Sequence, residues 1–134
     1  MYMKSVSYSD CLSGKLRSDS DSGDENSSRK TWLTYEATSD HSLKIVLHRV
    51  FMNCGVEKVT ADLRLVSNDT VEIHLSSEGG ENLNCLCPMD ITQVVGNLEE
   101  GATYHFSVFQ FYQECASFEI RNFSPGLTGS ADFQ

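Results

Sequence analysis

Apolar and polar residues alternate along much of this chain, which is the pattern of β-strands with one buried face. Residues 59–65 alternate strictly, and after a polar turn at 67–70 the same two-residue period returns in residues 71–76. Alternation of this kind on both sides of a short turn is typical of an antiparallel hairpin. We therefore expect two consecutive strands here, each with one face in the core.

Six further segments carry the β-branched, aromatic or alternating residues of strands, namely residues 5–10, 31–38, 42–53, 90–95, 103–112 and 116–123. Residues 42–53 begin with alternation and then become apolar on both faces, which predicts a central strand, whereas 5–10 predicts a short edge strand. No window combines helical spacing with capping residues, so helix is expected to be minor. The pattern predicts an all-β fold, an antiparallel β-sandwich of seven to eight strands, with a small closed β-barrel as the alternative.

The length of the chain fits a single domain over residues 1–126. A chain of 134 residues is long enough to bury a core. Residues 18–28 read SDSDSGDENSS and contain no apolar side chain, so we predict an acidic mobile loop there. Pro125-Gly126 interrupts the strand pattern, and residues 127–134 are predicted to be a flexible C-terminal tail.

The charge balance excludes some classes of partner. The 19 acidic and 10 basic residues give a net charge of −9, whereas a nucleic-acid partner would require a basic stripe. No apolar run approaches the roughly 20 residues of a membrane-spanning helix, so no transmembrane segment is expected. Residues 1–10 also lack the apolar stretch of a signal peptide. The chain is therefore either cytoplasmic or the mature part of an exported precursor.

Five cysteines, Cys11, Cys54, Cys85, Cys87 and Cys115, allow one or two disulfides with at least one thiol left over. Cys85 and Cys87 are poor partners for each other and better partners for distant cysteines. We predict that Cys54 bonds Cys85 or Cys87, since closing a loop of roughly 30 residues would stabilise the fold by about 3–4 kcal/mol. A second bridge would join Cys11 or Cys115 to the remaining member of the pair.

Two other roles for the cysteines remain open. Cys54, Cys85, Cys87 and Cys115 could bind a metal as thiolates, although zinc sites usually show cysteines two to four residues apart. Unpaired cysteines could also be buried as small apolar side chains. Disulfides are preferred, so we expect no metal and no cofactor, and export to the periplasm or cell surface is favoured over the cytoplasm.

The segment LEEGATYHFSV, which spans residues 98–108, resembles the corner between strands E and F of fibronectin type III and related immunoglobulin-like domains. In that family a tyrosine hydroxyl bonds back to the backbone of the corner. The resemblance implies an immunoglobulin-like sandwich in which Leu98 and Tyr104 form this structural corner.

A second resemblance rests on Asn53-Cys54-Gly55, on residues 84–90 (NCLCPMD) and on residues 96–101 (GNLEEG). This arrangement is similar to small secreted proteins of unassigned function from Bacteroides-like bacteria. It implies export, and lipid anchoring through a leader cysteine outside this sequence. It implies no activity.

The sequence contains no catalytic motif, so an enzyme is not expected. There is no Gly-x-Ser-x-Gly elbow, no His-Glu-x-x-His motif and no phosphate-binding glycine loop. We expect a non-enzymatic accessory or interaction domain that binds a protein or glycan through loops at one end of the sandwich. Its binding surface is predicted to include Phe109, Phe111, Glu78 and Glu81.

Two alternatives have distinct signatures. A small-molecule or lipid carrier would have a barrel cavity lined by Phe51, Phe106 and Leu47. A thiol-dependent enzyme would use Cys85 or Cys87 as a thiolate near a basic group. His48 and His74 would form a metal-binding or pH-sensitive pair only if their strands were neighbours.

Overall fold

The computed structural model describes residues 1–9, 31–80 and 86–133, and nine strands form within them. They are β1 (Tyr2–Tyr8), β2 (Trp32–Ala37), β3 (Leu43–Asn53), β4 (Lys58–Leu65), β5 (Thr70–Glu78), β6 (Leu86–Gly96), β7 (Tyr104–Gln110), β8 (Gln113–Ile120) and β9 (Thr128–Asp132). The described residues contain no helix. The acidic loop predicted over 18–28 lies outside the described residues, as do Cys11, Glu81 and Cys85.

The strands form two sheets that pack face to face. The five-stranded sheet has the order β1-β6-β3-β2-β9, and the four-stranded sheet has the order β4-β5-β7-β8. The predicted all-β sandwich is confirmed, and the alternative of a closed barrel is wrong because the two sheets remain separate. The predicted hairpin is β4 and β5, β3 is the central strand of its sheet, and β1 is an edge strand.

One strand pair is parallel, which a purely antiparallel prediction did not include. β5 and β7 pair in parallel, from Thr70 opposite His105 to Leu75 opposite Gln110. Between β5 and β7 the chain crosses to the other sheet, forms β6 there and returns, so β5 and β7 run in the same direction. This places the C-terminal ends of β5 and β7 at one end of the sandwich.

The tail predicted over residues 127–134 is wrong, because Thr128–Asp132 forms strand β9 against β2. Gly129 makes this close approach achievable, since a Cβ at that position would lie 2.2 Å from the Tyr35 hydroxyl. The segment TGSAD lacks the apolar alternation by which strands are recognised in a sequence. Its pairing depends on Tyr35, which only the folded chain brings to Gly129.

The core lies between the sheets and is built from the inward faces of the central strands. Leu47, Ile73 and Phe106 have no solvent exposure. Gln93 is the polar exception on β6: it is fully buried, and neither of its amide atoms has a hydrogen-bond partner within the described residues. Burial of such a group without a partner costs about 1–3 kcal/mol.

A β-bulge explains why the later part of residues 42–53 is apolar on both faces. The register of β3 with β6 shifts between Leu47 and Val50, and Arg49 has a φ of 61°. The shift lets Leu47 and Val50 both point into the core. The Asp90 carboxylate accepts a hydrogen bond from the Arg49 amide at 3.0 Å, which fixes the bulge.

Cys87 and Pro88 lie within strand β6, which begins four residues before the strand predicted from residue 90. β6 begins at Leu86, and Phe51 of β3 pairs with Pro88. Proline is tolerated here because β1 pairs with β6 only from Ile91 onward, so β6 has an open side at Pro88.

No helix in the described ranges has the length and apolar character needed to cross a membrane.

Candidate functional site: an aromatic tip and the groove beside it

The hairpin between β7 and β8 ends in two aromatic residues on left-handed backbone. Gln110 pairs with Gln113, so the connection contains only Phe111 and Tyr112, with φ values of 54° and 65°. A two-residue connection with positive φ at both positions corresponds to a type I′ turn, which strongly prefers Asn-Gly. Phe111 and Tyr112, here called the aromatic tip, are therefore unusual residues for their backbone.

Both rings of the aromatic tip are exposed to solvent. Phe111 is 68% exposed and Tyr112 is 91% exposed. A left-handed conformation costs an L-residue other than glycine or asparagine roughly 1–2 kcal/mol. The tip thus combines backbone strain with exposed apolar surface, and neither stabilises the fold.

The base of the tip is fixed to the opposite sheet by Gln110. Its side-chain amide donates hydrogen bonds to the Phe51 carbonyl at 3.3 Å and to the Met52 sulfur at 3.8 Å, both on β3. Since β3 belongs to the five-stranded sheet, this contact ties the hairpin to both layers. The tip therefore stands on a rigid support.

A groove of about 300 Å³ lies between the tip and the outer face of β4 and β5. Its aromatic side is the tip, and its floor and polar wall are formed by Asp62, Arg64, His74, Leu75, Ser76 and Ser77. Asp62 and His74 are register partners on neighbouring strands, so their side chains point outward side by side. The groove thus places ionisable and hydroxyl groups opposite aromatic rings.

His74 is held in place on two sides. Its Nε2 atom lies 2.9 Å from the Glu72 carboxylate, two residues along the same face of β5. Its ring stacks on Phe109 of β7, with centroids 4.6 Å apart and planes at 8°. The parallel pairing of β5 with β7 makes this stack, because it sets His74 opposite Phe109.

Asp62 and Arg64 are exposed and have no ion pair or hydrogen bond with any residue that the structure describes. They lie two residues apart on β4, so both project from its outer face. Because neither side chain is bonded to a described residue, the Asp62 carboxylate acceptors and the Arg64 guanidinium donors are available to a ligand in the groove.

The four residues predicted as a binding surface have different places. Phe111 belongs to the tip, and Phe109 lies beside the groove, stacked on His74. Glu78 ends β5 at the same end of the sandwich, where its carbonyl accepts a hydrogen bond from the Glu57 amide at 3.1 Å. Glu81 lies outside the described residues. The aromatic tip, which contains Phe111, therefore lies at the same end of the molecule as Phe109 and Glu78.

The sequence did not identify Asp62 or Arg64 as part of a site, and it did not place Phe111 and Tyr112 in a turn. Aromatic residues favour strands and no glycine or asparagine marks a turn here, so the pattern predicts a strand over 103–112 that includes Phe111 and Tyr112. Asp62 and Arg64 had the ordinary appearance of the polar face of a strand. The detectable signal was the hairpin itself, since strand pairs at 103–112 and 116–123 need a turn between them.

The corner at the other end of β7 contains the expected tyrosine. The Tyr104 hydroxyl accepts a hydrogen bond from the Glu99 amide at 2.8 Å, and Tyr104 is 6% exposed. Leu98 is buried, and its amide donates to the His41 carbonyl at 2.9 Å. This corner closes the core and has no exposed aromatic ring.

The described cysteines differ in state. Cys54 and Cys87 both have bonding partners, while Cys115 is a free, partly buried thiol. Burial raises the pKa of the Cys115 thiol, which works against formation of a thiolate. Cys87 is 1% exposed. Burial thus disfavours a thiolate at Cys115 and shields Cys87 from solvent.

The histidines considered as a pair lie on different sheets. His48 belongs to β3, where its ring stacks on Trp32 at 4.7 Å and its Nε2 lies 2.9 Å from the Thr34 hydroxyl. His74 belongs to β5 in the other sheet. Within the part of the chain that the structure describes, no three histidine, cysteine or acidic residues group as metal ligands.

Comparison with known proteins gave no match to a family model, a curated protein or a solved structure.

Proposed function

We propose that this protein is a non-enzymatic, exported accessory or interaction domain that binds a protein or glycan partner through the aromatic tip. The observation that carries the proposal is the pair Phe111 and Tyr112, which occupy left-handed backbone and expose 68% and 91% of their surface. Backbone strain of this kind is concentrated at binding and switch regions. Exposed tyrosine and phenylalanine are also enriched where partners bind.

The support beneath the tip favours binding over chance exposure. Gln110 fixes the base of the hairpin to β3, and the Phe109–His74 stack fixes the face beside it. A ligand therefore meets rings that are already positioned, which reduces the entropy lost on binding.

Export is proposed together with disulfides at Cys54 and Cys87. Neither is a free thiol. Cys87 pairs with Met52, two residues before Cys54, so Cys87 lies diagonally from Cys54 and not directly opposite it. Direct partners lie within disulfide distance and diagonal ones do not. We propose the bridges Cys54–Cys85 and Cys11–Cys87, with Cys115 free.

Intact mass with and without reduction tests the bridges. We expect iodoacetamide to modify one cysteine of the unfolded, unreduced protein and all five after reduction, with both bridges recovered by peptide mapping. Modification of five cysteines without reduction would contradict both the bridges and the argument for export.

The two alternatives have less support. A thiol-dependent enzyme needs an accessible thiolate, but Cys87 is buried and not free, and burial raises the pKa of Cys115. The carrier needed a barrel cavity around Leu47 and Phe106, and both are fully buried side chains of a two-sheet core.

Retention on cell-envelope material of the source organism tests the binding role. The variant Phe111→Asn with Tyr112→Gly keeps the turn and removes both rings, and we expect it to lose most of the retention shown by the wild type. Tyr2→Ala is the matched control, because Tyr2 is 54% exposed at the opposite end of the sandwich. Equal retention of the wild type and the tip variant would contradict the proposal.

A further inference from the structure

We infer that the groove beside the aromatic tip binds a neutral sugar ring of a glycan, an inference that rests on the proposed function and names the ligand class of the same site. The groove brings together two exposed aromatic rings with Asp62 and Arg64, neither of which has a partner among the described residues. A pyranose presents an apolar C–H face and a rim of hydroxyl groups, and each half of the groove matches one of these surfaces.

The aromatic half of the groove suits the face of a sugar ring. Aromatic faces carry negative partial charge and attract the slightly positive hydrogens of C–H groups. Phe111 and Tyr112 cannot withdraw into the core, because the type I′ turn holds them at the end of the hairpin. Their rings are therefore held where a flat apolar ligand can stack on them.

The polar half of the groove suits the hydroxyl rim. Asp62 supplies acceptors and Arg64 supplies a fork of donors, and neither has another bond among the residues described. A pair of adjacent hydroxyl groups can bond a carboxylate or guanidinium at two points. His74 is already positioned by Glu72 and Phe109 and borders the same groove.

The charges of the groove favour a neutral ligand over an ionic one. Asp62 and Arg64 offset each other, and the Glu72 carboxylate is already bonded to His74. The net charge of −9 would attract a basic protein to the molecule as a whole. The groove itself has no excess of acid, and its concave shape fits a small ring better than a broad protein surface.

Titration with neutral oligosaccharides tests the inference. The probes are the hexamers of β-1,4-glucose, β-1,3-glucose, β-1,4-N-acetylglucosamine, β-1,4-mannose and β-1,4-xylose, observed by calorimetry and by amide chemical shifts of the wild-type protein. We expect at least one hexamer to bind and to shift the amides of Phe111, Tyr112 and residues 62–64. Absence of binding by all five would overturn the inference.

Variants show whether binding occurs in the groove. Phe111→Asn with Tyr112→Gly is expected to weaken binding by about tenfold or more, and Asp62→Asn or Arg64→Gln by about tenfold each. Tyr2→Ala and Glu100→Gln change an exposed aromatic residue and an exposed acid at the opposite end, and should leave binding unchanged. Binding that survives the tip variant would overturn the inference.

Pretreatment of the envelope material separates failure of the glycan inference from failure of the proposed function. Periodate cleaves the vicinal diols of sugars, while protease digestion removes protein partners. We expect tip-dependent retention to survive protease. We also expect it to be lost after periodate when the glycan has vicinal diols within its chain, as 1,4-linked glucose, mannose and xylose do, whereas 1,3-linked glucose and 1,4-linked N-acetylglucosamine resist periodate. Retention that depends on the tip but resists periodate and disappears with protease would leave the interaction role intact and overturn the glycan ligand.

Discussion

Strand β7 connects two ends of the sandwich that meet the same backbone requirement with different residues. At its start, the corner has left-handed residues at Asn97 and Gly101, with φ values of 66° and 86°. At its end, the tip has Phe111 and Tyr112 in the same region of φ. Asparagine and glycine tolerate this conformation, whereas bulky aromatic residues rarely adopt it. The corner therefore follows local preference and the tip opposes it.

The two ends also differ in what their aromatic residues contact. At the corner, Tyr104 is buried, its hydroxyl accepts the Glu99 amide, and its ring meets the edge of Phe123 at 6.4 Å. At the tip, the rings of Phe111 and Tyr112 are exposed. Aromatic residues at the corner stabilise the fold, and those at the tip are exposed where we propose that a ligand binds. Strain persists in natural proteins where function depends on it.

The largest difference should appear when one phenylalanine is removed from each end. Phe123 is fully buried, so Phe123→Ala should lower the free energy of unfolding by about 3–5 kcal/mol. Phe111→Ala removes an exposed ring and should change it by less than about 1 kcal/mol. Urea unfolding monitored by circular dichroism measures both. Equal losses would mean that the tip is a structural element like the corner.

Restoring the preferred turn residues should stabilise the protein. Phe111→Asn with Tyr112→Gly relieves two left-handed aromatic positions and should raise the free energy of unfolding by about 1–3 kcal/mol. The reverse exchange at the corner, Asn97→Phe, should lower it by about 1–2 kcal/mol. Urea midpoints report both changes, and a destabilised tip variant would show that the rings contribute to folding.

The sandwich could be predicted from the sequence because several of its strands have a recognisable local pattern of apolar and polar residues. Alternation at 59–65 and 71–76 gave β4 and β5 directly, and the apolar run at 42–53 gave the central β3. β9 was missed since Thr128–Asp132 depends on a partner, Tyr35, that lies far away in the sequence. Parallel pairing of β5 with β7 was missed for the same reason, because register between distant strands leaves no local pattern.

The candidate site was only partly predictable. Phe109 and Phe111 stood out as aromatic residues on one segment, but the turn was hidden by the residues that make it unusual. Turns are recognised in a sequence by glycine and asparagine, and this turn has neither. Asp62 joins the groove only through the pairing of β4 with β5 and the position of the tip. The site is therefore a product of tertiary structure.

Loss of the corner hydroxyl should have a moderate effect. Tyr104→Phe keeps the ring and its contacts but leaves the Glu99 amide without its acceptor, so we expect a loss of about 1 kcal/mol or more in the free energy of unfolding. Tyr112→Phe is the matched control at the tip, where the hydroxyl is exposed and its removal should leave stability unchanged. An unchanged urea midpoint for Tyr104→Phe would show that the corner is held by packing alone.

The smallest effect concerns Asp40, an exposed carboxylate in the turn between β2 and β3. The Thr38 hydroxyl and the Lys4 ammonium, which lies 3.0 Å away, hold the pKa of Asp40 below its ordinary value. A carboxyl with a lowered folded-state pKa stabilises the protein above its unfolded pKa of about 3.9, and this contribution is lost as the pH falls through the folded value. Asp40→Asn should therefore lower the urea midpoint slightly at about pH 7, with the difference from the wild type shrinking as the pH drops below about 4. Glu36→Gln is the control: it removes an exposed acid from the same sheet and should change the urea midpoint less than Asp40→Asn does. If the difference in midpoint between Asp40→Asn and the wild type persists undiminished in acid, Asp40 acts through its shape and not its charge.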